Sequence, residues 1–136
     1  MTEIKGLNTY RLDENAIVKS LDDFESYIDP MDMTLAECIQ CWLSENWDVI
    51  NERDGHHFKY RDIFLLPCHS SENNWLDIQG SVYYDSPSTF MHIDEVLDGI
   101  WLYESEIVGK TLKDVVEMII CSVQAEFERL FLNYDN

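Results

Sequence analysis

The chain has 136 residues, 46% of them hydrophobic, with four Trp, seven Tyr and six Phe, which is enough to fill one core and too little for two domains. Twenty-seven Asp and Glu against nine Lys and Arg give a formal charge of −18. Charge of that sign repels nucleic acid and anionic membrane and attracts cationic protein surfaces, and the apolar content argues against disorder despite it.

From Asp13 onward, Ile17, Leu21, Phe24 and Ile28 recur at helical spacing, with Asp13 or Asn15 as N-cap and Pro30 as terminator. That pattern predicts an amphipathic helix over residues 14–28. Its outward face carries Asp22, Asp23 and Glu25, and Asp29 and Asp32 continue the acid through the turn. Carboxylates near a helix C-terminus oppose the macrodipole by roughly 0.3 kcal/mol each, which points to charge kept for another purpose.

Thr34-Leu-Ala-Glu37 has the capping-box arrangement, so a second helix is expected over residues 34–48, ending near Trp47 or Ile50. Leu35, Cys38, Ile39, Trp42 and Leu43 share its apolar face. Asn51-Glu-Arg-Asp-Gly55 reads as a turn or loop. Tyr60 to Pro67 is a short aromatic-rich apolar run that suits a buried strand. After a turn over residues 70–74, Trp75, Asp77, Gln79 and Ser81 alternate with Leu76, Ile78, Gly80 and Val82, as in a strand packed on one face and continuing into Tyr83 and Tyr84. The two runs are expected to pair antiparallel. Residues 88–98 fit a short strand or a turn of helix equally, and Gly99-Ile-Trp-Leu-Tyr103 is a third strand candidate. Thr111-Leu-Lys-Asp114 repeats the capping logic, and Leu112, Val115, Val116, Ile119, Ile120, Val123, Phe127 and Leu130 make a wide stripe for a helix over residues 111–131. The expected fold is therefore α+β, one domain over residues 1–136, with about three helices packed on a small, mostly antiparallel β-sheet.

No Lys or Arg occurs in the 48 residues between Arg61 and Lys110, a stretch that holds nine acids, and the base-free run from Ser20 to Glu52 holds nine more. Self-repulsion on this scale predicts that salt stabilises the protein. No apolar run approaches the roughly twenty residues that cross a bilayer, and the Met-Thr-Glu-Ile-Lys-Gly start lacks the apolar core of a signal peptide, so a cytoplasmic protein with reduced cysteines is expected.

Residues that would carry catalysis are sparse. Cys38-Ile-Gln-Cys41, His56-His57 and Cys68-His69 supply zinc-type ligands, but the Cys pair lies inside a helix rather than on a turn and reads as packed small hydrophobes. His56 and His57 read as solvated loop side chains, with a pH-sensitive contact or a general base as the sharper alternative. Asp94, Glu95 and Asp98 lack the glycine and alternation of an EF-hand, and phosphate loops, dinucleotide motifs and nucleophile elbows are absent. No catalytic residue, metal or cofactor is therefore expected. Trp42, Trp47, Trp75 and Trp101 read mostly as core, yet any exposed member ringed by Asp and Glu would anchor a basic partner.

The order of Thr34-Leu to Trp47-Asp48, Arg61-Asp-Ile-Phe-Leu-Leu-Pro67, Trp75-Leu-Asp77 and Thr111-Leu-Lys-Asp-Val-Val116, set in an acidic chain, resembles the small acidic immunity proteins of bacterial contact-dependent inhibition and related polymorphic toxin systems. The likeness spans residues 32–123. It implies a protein without enzymatic activity that binds and neutralises a toxin domain, commonly a cationic nuclease, with no direct contact to nucleic acid or membrane. The acids expected to form the contact surface are Asp22, Asp23, Glu25, Asp29, Asp32, Asp94, Glu95, Asp98, Glu104 and Glu106. The alternatives are a phage-type DNA mimic that inhibits a restriction or CRISPR nuclease, and an acidic adaptor whose charge serves solubility.

Overall fold

A computed structural model describes residues 5–28, 32–55, 60–69, 74–85, 92–97 and 99–135, with residues 60–62, 84–85, 92–97 and 130–135 described as backbone only. A capping box at Thr34, a hydroxyl cap at Thr111 and one long antiparallel ladder organise the chain. The Thr34 hydroxyl accepts the Glu37 N–H at 3.1 Å while the Glu37 carboxylate accepts the Thr34 N–H at 3.1 Å, and helix α1 follows over Leu35–Arg53. It runs past the expected end at Ile50, so Asn51 to Arg53 are helical rather than loop. Buried Asn51 packs toward α3 (Leu112–Asp135), its side-chain oxygen accepting from Gln124 at 3.4 Å, and this tertiary contact carries the helix onward. The N-terminus of α3 is capped by Thr111, whose hydroxyl accepts the Asp114 N–H at 3.2 Å.

The two expected strands pair antiparallel as β3 (Tyr60–His69) and β4 (Trp75–Asp85). Residues left open between strand and helix include β5 (His92–Leu97), which pairs with β4 from Asp85 to Gly80, while residues 88–91 and 98 lie outside the described residues. The third strand candidate is β6 (Trp101–Tyr103), paired with Trp75 to Asp77 of β4. Long β4 thus has β3 on one side and β5 and β6 end to end on the other. At Gly80 the strands approach so closely that a Cβ would stand 1.9 Å from the Phe64 carbonyl oxygen, which excludes every side chain there.

The predicted helix over residues 14–28 does not form. Its backbone groups are committed elsewhere: Val18 N–H donates to Lys110 C=O at 2.9 Å, Gly109 N–H donates to Val18 C=O at 2.9 Å, and Ile17 bridges Thr111. Ser20 then caps a 3-10 helix over Leu21–Glu25, and Tyr27–Ile28 (β1) pairs with Met33–Thr34 (β2). Leu21 and Phe24 are buried as the spacing required, but tertiary pairing of the backbone overrides the helical period. Asp22 and Asp23 consequently stand in the first turn of the short helix, where acid is favourable, and not near a helix C-terminus.

One core joins the elements. Ile63 and Leu65 of β3, Leu76, Ile78 and Val82 of β4 and Leu102 of β6 are buried with Ile39, Leu43, Trp47 and Ile50 of α1 and Val115, Ile119, Val123 and Phe127 of α3. Helices α1 and α3 run antiparallel, with Arg53 bonded to Glu117 at 3.1 Å near one end and Trp47 edge-on to Phe127 at 5.8 Å near the other. Helix α1 also packs on β3, the Ser44 hydroxyl donating to the Ile63 carbonyl at 2.6 Å, which satisfies one carbonyl of that strand. Among the described residues no helix is long and apolar enough to cross a membrane.

Candidate functional site

Alternation along β4 divides its side chains between two faces. Leu76, Ile78 and Val82 point into the core, so Trp75, Asp77, Gln79, Ser81 and Tyr83 share the other face. Register places Phe64 opposite Ser81, Leu66 opposite Gln79 and Cys68 opposite Asp77 on β3, and Trp101 opposite Asp77 and Tyr103 opposite Trp75 on β6. This face stays open: Trp101 is 49% exposed, Phe64 47% and Tyr103 43%, with Leu66, Trp75 and Tyr83 half-buried.

Three aromatic rings meet at the β6 end. Trp75 and Trp101 are diagonal neighbours with centroids 5.3 Å apart and planes inclined 31°, and Trp75 meets Tyr103 at 6.0 Å in an edge-on contact. Such pairs hold one another in fixed orientation, contributing about 0.5–1.5 kcal/mol each beyond buried area. Carboxylates surround them. Asp77 lies between Cys68 and Trp101 across three strands; one of its oxygens accepts from the Gln79 side-chain amide at 3.1 Å, and the other is buried with no hydrogen-bond partner. Glu104 and Glu106 open α2 (Glu104–Ile107) directly after Tyr103, both exposed, and Glu106 accepts the Tyr103 N–H at 3.1 Å. The α2 start is tied to β4 by the Glu104 N–H, which donates to the Asn74 carbonyl at 2.7 Å.

The second acidic group approaches the same end of the sheet from the β3 side. Asp22 lies 3.0 Å from Nδ1 of His69, the last residue of β3. His69 pairs with Leu76 and Leu76 with Leu102, a three-strand row about 10 Å wide at roughly 4.8 Å per strand. Asp23 is spent locally, its carboxylate accepting the Lys19 N–H at 2.9 Å and the Ser20 N–H at 3.3 Å. Glu25 lines a groove of about 310 Å³ with Phe24, Leu66 and His69. Of the ten acids read from the sequence, Glu104 and Glu106 flank the aromatic cluster and Asp22, Asp23 and Glu25 border the same sheet end. Asp32, immediately before β2, has a positive φ of 53°. Asp94 and Glu95 occupy β5 opposite Tyr83 and Val82, and Asp29 and Asp98 lie outside the described residues, as do His56 and His57.

Cations collect among the helices. Lys5, Arg53 and Lys113 line one groove of about 210 Å³ with Glu14 and Glu117, formed by the N-terminal segment, α1 and α3. Arg53 is already held by Asp54 at 2.7 Å and by Glu117. The residues placed on the open face by register all fall after Arg61 and before Lys110, so none of them is Lys or Arg.

Cys38 and Cys41 lie a turn apart on α1, and burial, reinforced by neighbouring acid, pushes both thiols up, which disfavours thiolate chemistry. Among the described residues no group of three or more His, Cys, Asp or Glu is placed to hold a metal ion. Sequence reasoning located an aromatic-plus-acid anchor in principle, and Trp75 on the polar side of its strand. Asp77, Tyr103 and Phe64 were missed as site residues, because only the pairing of β6 and β3 with β4 brings them onto one surface.

No family model, curated protein or solved structure matches this chain. The functional reading therefore rests on the geometry of this face.

Proposed function

We propose that this chain is an immunity-type inhibitor that binds a cationic bacterial toxin domain, most simply a nuclease, and blocks it through the sheet face around Trp101. The observation that carries the reading is the packed, exposed Trp75–Trp101–Tyr103 cluster, bordered by Asp77, Glu104 and Glu106 and drawn from a stretch without a single base. A nuclease must present positive charge to bind phosphate, so its active-site cleft complements this surface. Complementary fields raise association rates toward about 10⁸–10⁹ M⁻¹s⁻¹ at low salt, which suits an inhibitor that must arrive before damage is done. Aromatic anchors supply the slow dissociation that charge alone does not. A DNA mimic needs carboxylates in an ordered row, whereas Asp23 is committed to a helix cap and Asp22 to His69.

The test is affinity capture with tagged protein from a nuclease-treated lysate of the native host, washed at low and high salt. The expected result is a salt-resistant complex with the C-terminal domain of a secreted toxin, whose activity is lost on adding the purified chain. Capture of a restriction or CRISPR nuclease, released steeply by salt, would overturn it in favour of the mimic.

A further inference from the structure

The open sheet face has two unlike ends. Trp75, Trp101 and Tyr103 form an acidic aromatic end with Glu104; Phe64 and Leu66 form an apolar end on β3. Asp77 and Ser81, the β4 partners of Trp101 and Phe64, are four residues apart. The ends are therefore about 13 Å apart along the strand, at roughly 3.3 Å per residue, and about 10 Å apart across β4, at roughly 4.8 Å per strand, or about 16 Å in all. Three observations narrow what lies there. A second copy of this chain would set acidic aromatic clusters with no Lys or Arg among their residues against each other in a molecule of charge −18, so face-to-face self-association is opposed. On the β3 side the Ile63 carbonyl is already taken by the Ser44 hydroxyl of α1, which disfavours adding a strand there and favours a partner lying across the face. Glu104 is exposed and directly follows Tyr103 in the chain, whereas Glu106 is held by its cap.

We propose, resting on the inhibitor reading above, that this face receives an arginine-bearing segment of the cationic partner, with an arginine on Trp101 and an apolar side chain about 16 Å away on Phe64. A guanidinium is planar and weakly hydrated, stacks on an indole and forks onto a carboxylate, and Glu104, exposed directly after Tyr103, supplies a carboxylate for that fork. An ammonium is a strongly hydrated point charge that gains less from the exposed indole face. The apolar end then favours an apolar side chain over a second base, because a cation gains less over the Phe64 ring than over an indole and Leu66 offers no π face.

The experiment uses the full chain and a peptide of repeated Arg-Ser-Thr-Ser-Leu units, whose Arg and Leu stand four residues, about 13 Å, apart with the long arginine side chain reaching the remainder, and the Lys version and a scrambled version serve as comparisons. Binding is read by NMR from the four indole N–H signals at about 0.15 M salt, where exposed charges beyond roughly 8 Å are screened. The Trp75 and Trp101 signals are expected to move and those of buried Trp42 and Trp47 to stay. Affinity should fall about fivefold for Trp101→Ala, for Phe64→Ser and for the Lys peptide, in variants whose thermal transition is unchanged. Equal affinity for Arg and Lys peptides, full binding by Trp101→Ala, or no movement of the Trp75 and Trp101 signals overturns the assignment. Selective peptide binding without capture of a toxin domain would sustain this site and remove the inhibitor reading, whereas toxin capture undiminished by Trp101→Ala would do the reverse.

Discussion

Asn46 is buried inside α1 and holds Lys5, 41 residues earlier, its side-chain oxygen accepting the Lys5 N–H at 3.0 Å while its amide donates to the Trp42 carbonyl at 2.8 Å. The Trp42 indole closes the clasp by donating to the Lys5 carbonyl at 2.8 Å. An uncharged side chain thus fixes the N-terminal segment on the helix. Asn46→Ala strands the Lys5 N–H and opens a small void, so a loss of about 1–3 kcal/mol is expected, readable as a lower urea midpoint at unchanged slope. A midpoint equal to the parent would show that water replaces the clasp.

Gly80 predicts a sharper effect from a smaller change. A methyl group at this position meets the Phe64 carbonyl oxygen at 1.9 Å, and that oxygen is backbone within a paired strand. Gly80→Ala should cost about 1–3 kcal/mol, although alanine is an ordinary substitution for glycine elsewhere. Thermal melts compare it with Ser81→Ala one residue on, on the open face, which should be near neutral.

Helices α1 and α3 and the β3–β4 pair were legible because their signals are local. Capping pairs at Thr34 and Thr111, a 3.6-residue apolar stripe and a two-residue alternation act over one or two turns of chain. The residues from Asp13 to Ile28 misled because Leu21 and Phe24 meet the helical spacing for a different reason: both are buried, yet Val18 hydrogen-bonds across to Lys110 and Gly109. The aromatic cluster fails the same way. Nothing near Trp101 announces that it lies opposite Asp77, since that register is set by the return of the chain over residues 99–103 onto β4.

Alkaline pH offers a test through Tyr10. Its hydroxyl donates to the Glu45 carboxylate, and that bond, with burial and the carboxylate's charge, pushes the phenol up to about 12 from its ordinary 10.0. A raised folded-state value means that the unfolded chain releases its proton first. The contribution is complete below pH 10 and is lost as pH rises toward 12. Tyr10→Phe should remove this part of the alkaline fall in melting temperature, and a parent protein whose Tyr10 ionises near 10 by ultraviolet titration would contradict the bond.

Net charge makes a prediction independent of any partner. Nine bases cannot screen 27 acids, and the base-free stretches leave like charges close together. Raising monovalent salt from about 0.01 to 0.3 M shortens the Debye length from roughly 30 Å to under 8 Å, so the melting temperature should rise. Sodium chloride and potassium chloride should act equally if screening is the cause; a flat response would mean that the acids are already separated by more than the screening length.

The acids and the rings should separate kinetically. Exposed carboxylates act at a distance and guide encounter, whereas a ring contributes only after contact. Glu104→Gln removes a charge that no helix cap requires, and Glu106→Gln keeps an oxygen to accept the Tyr103 N–H, so both should leave folding intact. Against the cationic partner, the double substitution should lower the association rate and flatten its salt dependence with little change in dissociation. Trp101→Ala should do the opposite, speeding dissociation at an unchanged association rate, because half of that indole is already exposed in the free protein and its loss alters no charge. Stopped-flow measurement across a salt series distinguishes the two. If Trp101→Ala changed neither rate while Asp22→Asn and Glu25→Gln slowed association, the contact would lie at the 3-10 helix beside His69 and not on the sheet face.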